Sequence, residues 1–240
     1  MVRSPVPPAI DKPRRYRSPR REQQARETRA RIIAAAAARF VSDGYAPTTL
    51  RAVAADAGVA LPTLELGFRT KAALLKAVID AAIAGDDQPV PMLARAWARR
   101  ADANPGAPAF VAVFARQLAD SAHRAAGLTL VALEAARVDA DIAATASQLT
   151  YQRRVMASWL VDGIRRRSQL RAGLSRAAAI DTIWVLMDPA LHCRLTGDCG
   201  WTSARYGRWF ADATLRLVTA AELSPPARGR AFTDLRKRRQ

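Results

Sequence analysis

An all-α fold is predicted by three features of the 240-residue sequence. Half the residues are hydrophobic, many are alanine, the strongest helix former, and few are aromatic. No stretch sustains the β-branched alternation of a strand. Apolar residues instead recur at i, i+3, i+4 and i+7 in one segment after another. The length suffices for one large core or two small ones.

The first helix is predicted from about Glu22 to Ser42, with Ile32, Ile33, Ala36, Ala37 and Phe40 as its apolar stripe. Asp43-Gly44-Tyr45 ends it. A short helix follows in which Leu50, Val53, Ala54 and Ala57 share one face. Thr49 is the expected N-cap, with Thr48 the competing choice. Gly58 stands where that face ends, as a residue tolerating positive φ should. Pro62 lies in the first turn of the next helix, where its missing N–H costs nothing. Two short helices joined by a tight glycine turn describe a helix-turn-helix, whose second helix can lie in a DNA major groove. Thr70 is expected to cap a fourth helix that buries Leu74, Leu75, Val78, Ile79 and Ala82.

Gly85 to Pro91 is read as the domain boundary. Beyond it, helices are predicted over 92–103, 109–125, 128–137 and 142–168, with Gly127 free to interrupt or restart the chain. Ser175 should cap a helix running past Leu191, kinked at Pro189. Thr202 or Ser203 should start the last one. The expected division is therefore a basic arm (1–21), a helix-turn-helix domain (22–86), a larger helical domain (87–224) and a basic tail (225–240).

The net charge of +17 is uneven. Residues 1–31 hold ten Lys/Arg against three acids, and residues 225–240 hold six against one. Basic ends around a milder body suit arms that follow phosphates, and also suit plain solvated tails. Cys193 and Cys199 do not make a disulfide framework. No apolar run reaches membrane-spanning length and no signal peptide is visible, so a cytoplasmic protein is expected. His192, Cys193 and Cys199 lack the spacing and the fourth ligand of a zinc site, so no metal or other cofactor is expected. Paired carboxylates, a nucleophile motif and a phosphate-binding glycine loop are all missing, which argues against an enzyme.

The run GVALPTLELGFRTKAALL resembles the DNA-binding domain of the TetR family of transcriptional regulators, where a typical run reads GVSKGTLYxYFxSKEALL. Gly58, Val59, Thr63, Leu64, Phe68, Lys71, Ala73, Leu74 and Leu75 stand at matching positions. The resemblance spans roughly residues 26–86. It departs at Ala60-Leu61-Pro62, which replaces Ser-Lys-Gly, and at Glu65 and Gly67, which replace two tyrosines. It implies a homodimer that binds double-stranded DNA at a palindromic operator and answers to a small-molecule effector, most simply as a repressor.

Several residues are candidates for DNA contact. Thr48, Thr49 and Arg51 lie at the start of the second helix, and Leu61, Pro62, Thr63, Glu65 and Leu66 lie on the third. Arg69 and Lys71 are expected on phosphates, as are Arg26 and Arg29 on the first helix. Trp97, Phe110, Phe114, Met156, Trp159, Trp184 and Met187 are candidates for an apolar effector pocket, and equally suit a plain aromatic core. Ile180, Trp184, Leu191, Tyr206, Trp209, Phe210 and Leu217 are the expected dimer surface, because the last two helices carry wide apolar faces and the family pairs there. Two other readings stay open: a helical small-molecule-binding dimer without an operator, and a non-specific DNA-binding protein.

Overall fold

The computed structural model describes residues 19–220. Ten α-helices are present among them: α1 Pro19–Asp43, α2 Leu50–Asp56, α3 Leu61–Phe68, α4 Lys71–Ala84, α5 Ala96–Asp102, α6 Ala107–Ala135, α7 Ala140–Arg165, α8 Arg176–Leu186, α9 Pro189–Cys193 and α10 Ser203–Val218. A 3-10 turn, Met92–Ala94, precedes α5, and a π-helical turn, Arg194–Asp198, follows α9. The described residues hold no strand, only one isolated bridge between Leu170 and Thr219. None of these helices is long and apolar enough to cross a membrane.

Local chemistry sets most of the helix starts. Thr49, Thr70, Ser175 and Thr202 each accept a hydrogen bond from a first-turn N–H of the helix that follows. Asp139 does so twice, for Asp141 and Ile142. The cap ahead of α2 is Thr49; Thr48 is instead buried and donates its hydroxyl to the carbonyl of Gly44, 2.7 Å away.

Three boundaries differ from those the sequence predicts. The first helix begins at Pro19, so residues 19–21 of the expected arm are helical, because Pro suits an opening turn. The segments 109–125 and 128–137 form one helix, α6, running through Gly127, whose side-chain space is open solvent. Pro189 does more than kink its helix. It lacks an N–H for the preceding turn, so α8 stops at Leu186 and Asp188 caps a new short helix.

The hydrophobic interior has two centres. The first gathers Ile32, Ala36, Phe40, Val53, Leu64, Phe68, Leu74, Leu75, Val78 and Ile79 from α1 to α4. It also takes Leu128, Ala132 and Ala135 from α6 and Ile142 and Leu149 from α7. The α6–α7 hairpin therefore completes the core of the N-terminal helices. The second centre lies among α5 to α8 and α10. Trp159 stands within 5.1–6.1 Å, centroid to centroid, of Phe110, Trp97 and Phe114. Phe114 reaches Phe210 at 6.0 Å.

Two glycines let the helices of this second centre meet. A Cβ on Gly163 would stand 2.0 Å from the Phe110 ring, and one on Gly207 would stand 3.3 Å from the carbonyl oxygen of Ala115. These close approaches draw α7 and α10 onto α6.

Candidate nucleic-acid interface

The helix-turn-helix pair α2–α3 turns at Gly58, whose φ is +62°. The N–H of Val59 bonds back to Ala54 and that of Gly58 to Ala55, closing the turn. Leu64 and Phe68 point inward from α3, with Leu61 half-buried beside them. That i, i+3, i+7 spacing leaves Pro62, Thr63, Glu65 and Leu66 exposed on the outer side. No other part of the subunit covers Leu66, which is 86% exposed. An outward-facing short rod on a fixed platform is what insertion into a groove requires.

Around this rod, cations fall into two groups. Arg51 and Arg69 are exposed. Arg26 is exposed on α1 and donates to Gln23 one turn before it. Thr49 is exposed and uses its oxygen as an acceptor in the α2 cap, so its O–H stays available to a phosphate. The remaining candidates are engaged inside the domain. Lys71 Nζ donates to the carbonyls of Tyr45 and Ala46 at 2.9 and 3.2 Å and lies 4.2 Å from the Tyr45 ring centre. Arg29 pairs with Asp87 and lies 4.6 Å over the Phe68 ring. Thr48 is covered, at 1% exposure. Each of these three side chains holds the platform together, and Thr48 is too deeply covered to reach a duplex.

One cation escaped the sequence reading. Arg31 is exposed on α1, and its Nη1 lies 3.7 Å from where a Cβ on Gly58 would stand. Its position at the mouth of the turn adds a positive charge beside α3. The signal was available as the arginine immediately before the apolar stripe that begins at Ile32.

Arg69 is also the one non-glycine residue among those described with positive φ, +57° with ψ −51°. The Thr70 N–H reaches the Phe68 carbonyl at 2.6 Å, so Arg69 is the central residue of a strained γ-turn. The turn carries the chain from α3 straight into α4.

Paired charges tie this head to the rest. Arg95 fixes Asp86 through two contacts of 2.7 and 2.9 Å, which holds the Asp86 carboxyl down at about 2. Arg124 donates to the Ala82 carbonyl at the end of α4. At the other side the Tyr45 phenol lies close to Asp139, at the tip of the α6–α7 hairpin. Burial, reinforced by that carboxylate, raises its pKa. Asp139 is itself held low, first by the Ile142 N–H it caps.

The expected effector-lining residues mostly lie in the second hydrophobic centre. Trp97, Phe110, Phe114 and Met187 are buried, and the half-buried Met156 and Trp159 pack against them. Trp184 alone of the seven borders a groove of about 650 Å³. It opens along the α6–α7 hairpin, where Leu133, Ala136, Ala146, Thr150, Tyr151 and Arg154 line it. Three of the expected dimer residues are likewise corrected: Ile180, Tyr206 and Phe210 are buried within the subunit. Tyr206 donates its hydroxyl to the Leu186 carbonyl at 3.2 Å, which locks α10 to α8. Trp184, Leu191 and Trp209 are half-buried, and Leu217 is 39% exposed.

His192 is buried edge-on to Tyr206, 4.8 Å between ring centres, and burial pushes its pKa down. Among the described residues no group of three or more His, Cys, Asp or Glu side chains converges on a metal-sized site.

Comparison with known proteins places these features. The family model described as bacterial regulatory proteins, tetR family, matches residues 32–78, from the buried stripe of α1 into α4. No curated protein sequence matches the chain. Among solved structures, a Rhodococcus sp. protein assigned to the TetR-family transcriptional regulators superposes with a TM-score of 0.61 at 14% identity. That alignment covers 80% of this chain and 99% of the other. The transcriptional regulator FadR from Bacillus subtilis, in complex with stearoyl-CoA, gives 0.60 at 17% identity over 80% and 99% of the two chains. A transcriptional regulator from Saccharomonospora viridis in complex with choline gives 0.60 at 13% over 81% and 99%. At these identities the likeness is one of fold.

Proposed function

We propose that the chain is a DNA-binding transcriptional regulator acting in the cytoplasm, because residues 32–78 match the tetR-family model and the all-helical fold resembles solved TetR-family regulators. One observation carries the reading: α3 stands clear of its own subunit, with Pro62, Thr63, Glu65 and Leu66 exposed and only Leu61, Leu64 and Phe68 turned inward. Exposed Thr49, Arg51, Arg69, Arg26 and Arg31 flank it and supply the phosphate attraction that positions such a helix.

Selection of bound fragments from a genomic library, repeated as salt is raised, tests the proposal. A regulator keeps a defined set of fragments at a salt concentration that releases random duplex. Release of all fragments together would make this a general basic DNA binder. Retention of none would leave a helical protein without an operator.

The operator reading requires a homodimer, each subunit filling one half-site. Of the surface expected for it, Trp184, Leu191, Trp209 and Leu217 remain accessible, the last two on one flank of α10 at i and i+8. Replacing Leu217 with Arg should give a folded monomer by sedimentation that has lost at least tenfold in operator affinity. An unchanged dimer would move the interface elsewhere.

Regulation by an apolar small molecule, most simply by relief of repression, completes the proposal. Solved structures of the same fold hold stearoyl-CoA and choline. In this chain the groove on the α6–α7 hairpin borders the hairpin that packs into the head, so an occupant preferring one hairpin position would bias the DNA-competent state.

The γ-turn at Arg69 gives a separable test. Arg69→Gly removes the cost of a positive φ and should raise stability by about 1 kcal/mol. The same change should weaken DNA binding and reduce its salt dependence by about one phosphate contact. Melting curves and salt titrations read the two effects independently. A salt dependence identical to that of the parent protein would remove Arg69 from the interface.

A further inference from the structure

Resting on the reading of α3 as the helix that enters the groove, we infer that Leu66 and Glu65 specify a thymine and a cytosine at the same or a neighbouring base-pair step of each half-site. Glu65 stands where the typical family run has a tyrosine, and Leu66 stands at the variable position beside it.

At 100° per residue, the inward set Leu61, Leu64 and Phe68 places Leu66 almost diametrically outward. No large hydrophobic side chain among those described is more exposed. Pro62 and Thr63 stand one turn before it, both exposed, so the outermost ridge of α3 is apolar with a single threonine hydroxyl. On one flank Gly67 leaves open space, since a Cβ there would meet nothing within 4 Å. On the other flank stands Glu65, exposed. No side-chain hydrogen bond or ion pair engages it among the described residues, although Arg69 lies one turn away.

Within a major groove this surface has few matches. The apolar group presented by the base pairs is the thymine 5-methyl, so an unhindered leucine at the crest selects thymine. A carboxylate can only accept. It is repelled by the phosphates and by the oxygen and ring-nitrogen acceptors of guanine; of the two amino donors in the groove, adenine's stands beside its N7 acceptor, so that of cytosine suits it better. Glu65 thus discriminates mainly by what it refuses. The bare flank at Gly67 lets the crest approach the base edges without a side chain intervening.

The test is selection from a randomised duplex library with the wild-type chain, Glu65→Gln and Leu66→Ala. Both sites are exposed, so both variants keep the fold. Binding is then measured to the selected half-site with the chosen thymine replaced by uracil, which removes only the methyl. We expect the wild type to select a C and a T together. Glu65→Gln should lose about tenfold in preference for cytosine over the other bases. Uracil should weaken the wild type about fourfold, the worth of one buried methyl, and leave Leu66→Ala unchanged. A selected operator without this pair, or one indifferent to uracil, overturns the base assignment and leaves the regulator reading standing. Failure of the wild type to select any sequence overturns both.

Discussion

Gly163→Ala should cost about 3 kcal/mol, the upper end for overpacking a core. For a chain of this size the melting temperature would fall by roughly 6–12 °C. The added methyl would stand 2.0 and 2.4 Å from two carbons of the Phe110 ring. That ring has no room to retreat. It is fully buried, packs on Trp159 at 5.1 Å, and has the Arg167 guanidinium 4.2 Å from its centre. Arg167 is itself fixed, donating to the carbonyls of Asn104, Gly163 and Asp102 at 2.6, 2.9 and 2.8 Å. Thermal melts of the single variants and of Gly163→Ala with Phe110→Leu read the coupling. The double variant should be more stable than the sum of the two losses predicts, because shortening the ring removes the collision. Simple additivity would show that the helices separate to admit the methyl.

Phe68→Ala should cost the N-terminal helices about 3–5 kcal/mol and abolish operator binding. An eight-residue helix is too short to persist in water without a docked face. Phe68 is the larger of the two fully inward side chains of α3 and the seat of the Arg29 guanidinium. Without it, Leu64 alone would hold the rod. Amide exchange over 61–68 should approach that of an unprotected chain, while α6 and α7 beyond residue 150 stay protected. Phe68→Leu should keep most of the protection. Unaltered exchange in Phe68→Ala would mean that the two turns on either side, rather than the ring, fix the helix.

What the sequence made legible is what is decided locally. The caps Thr49, Thr70 and Ser175 and the turn at Gly58 depend on neighbours a few residues away, so spacing sufficed to find them. On α3 the candidates Pro62, Thr63, Glu65 and Leu66 are exposed, whereas Leu61, named with them, is half-buried against the core. Contacts made across the chain were not legible. Lys71 matches the pattern of a phosphate contact, yet its ammonium is taken by carbonyls 25 and 26 residues earlier. Arg29 is claimed by an acid 58 residues later. Tyr206 and Phe210 were correctly placed on an apolar face. Periodicity says that such a face is covered, and does not say whether α6 of the same subunit or a second subunit covers it. Gly163 lies inside α7, where a glycine ordinarily weakens a helix. An isolated glycine in a strong helical pattern can equally mark a close approach, and here it does.

The head carrying α3 is no separately hinged unit. Leu128, Ala132, Ala135, Ile142 and Leu149 belong to its interior, and Asp139 stands beside its Tyr45. Cutting the chain in the turn at 85–91 would strip that interior of a wall, so the first 86 residues alone should aggregate rather than fold. A tilt of the α6–α7 hairpin is likewise a tilt of the reading helix. In the proposed dimer, whatever bends that hairpin would set how far apart two such helices stand, and so which spacing of half-sites the pair could grip.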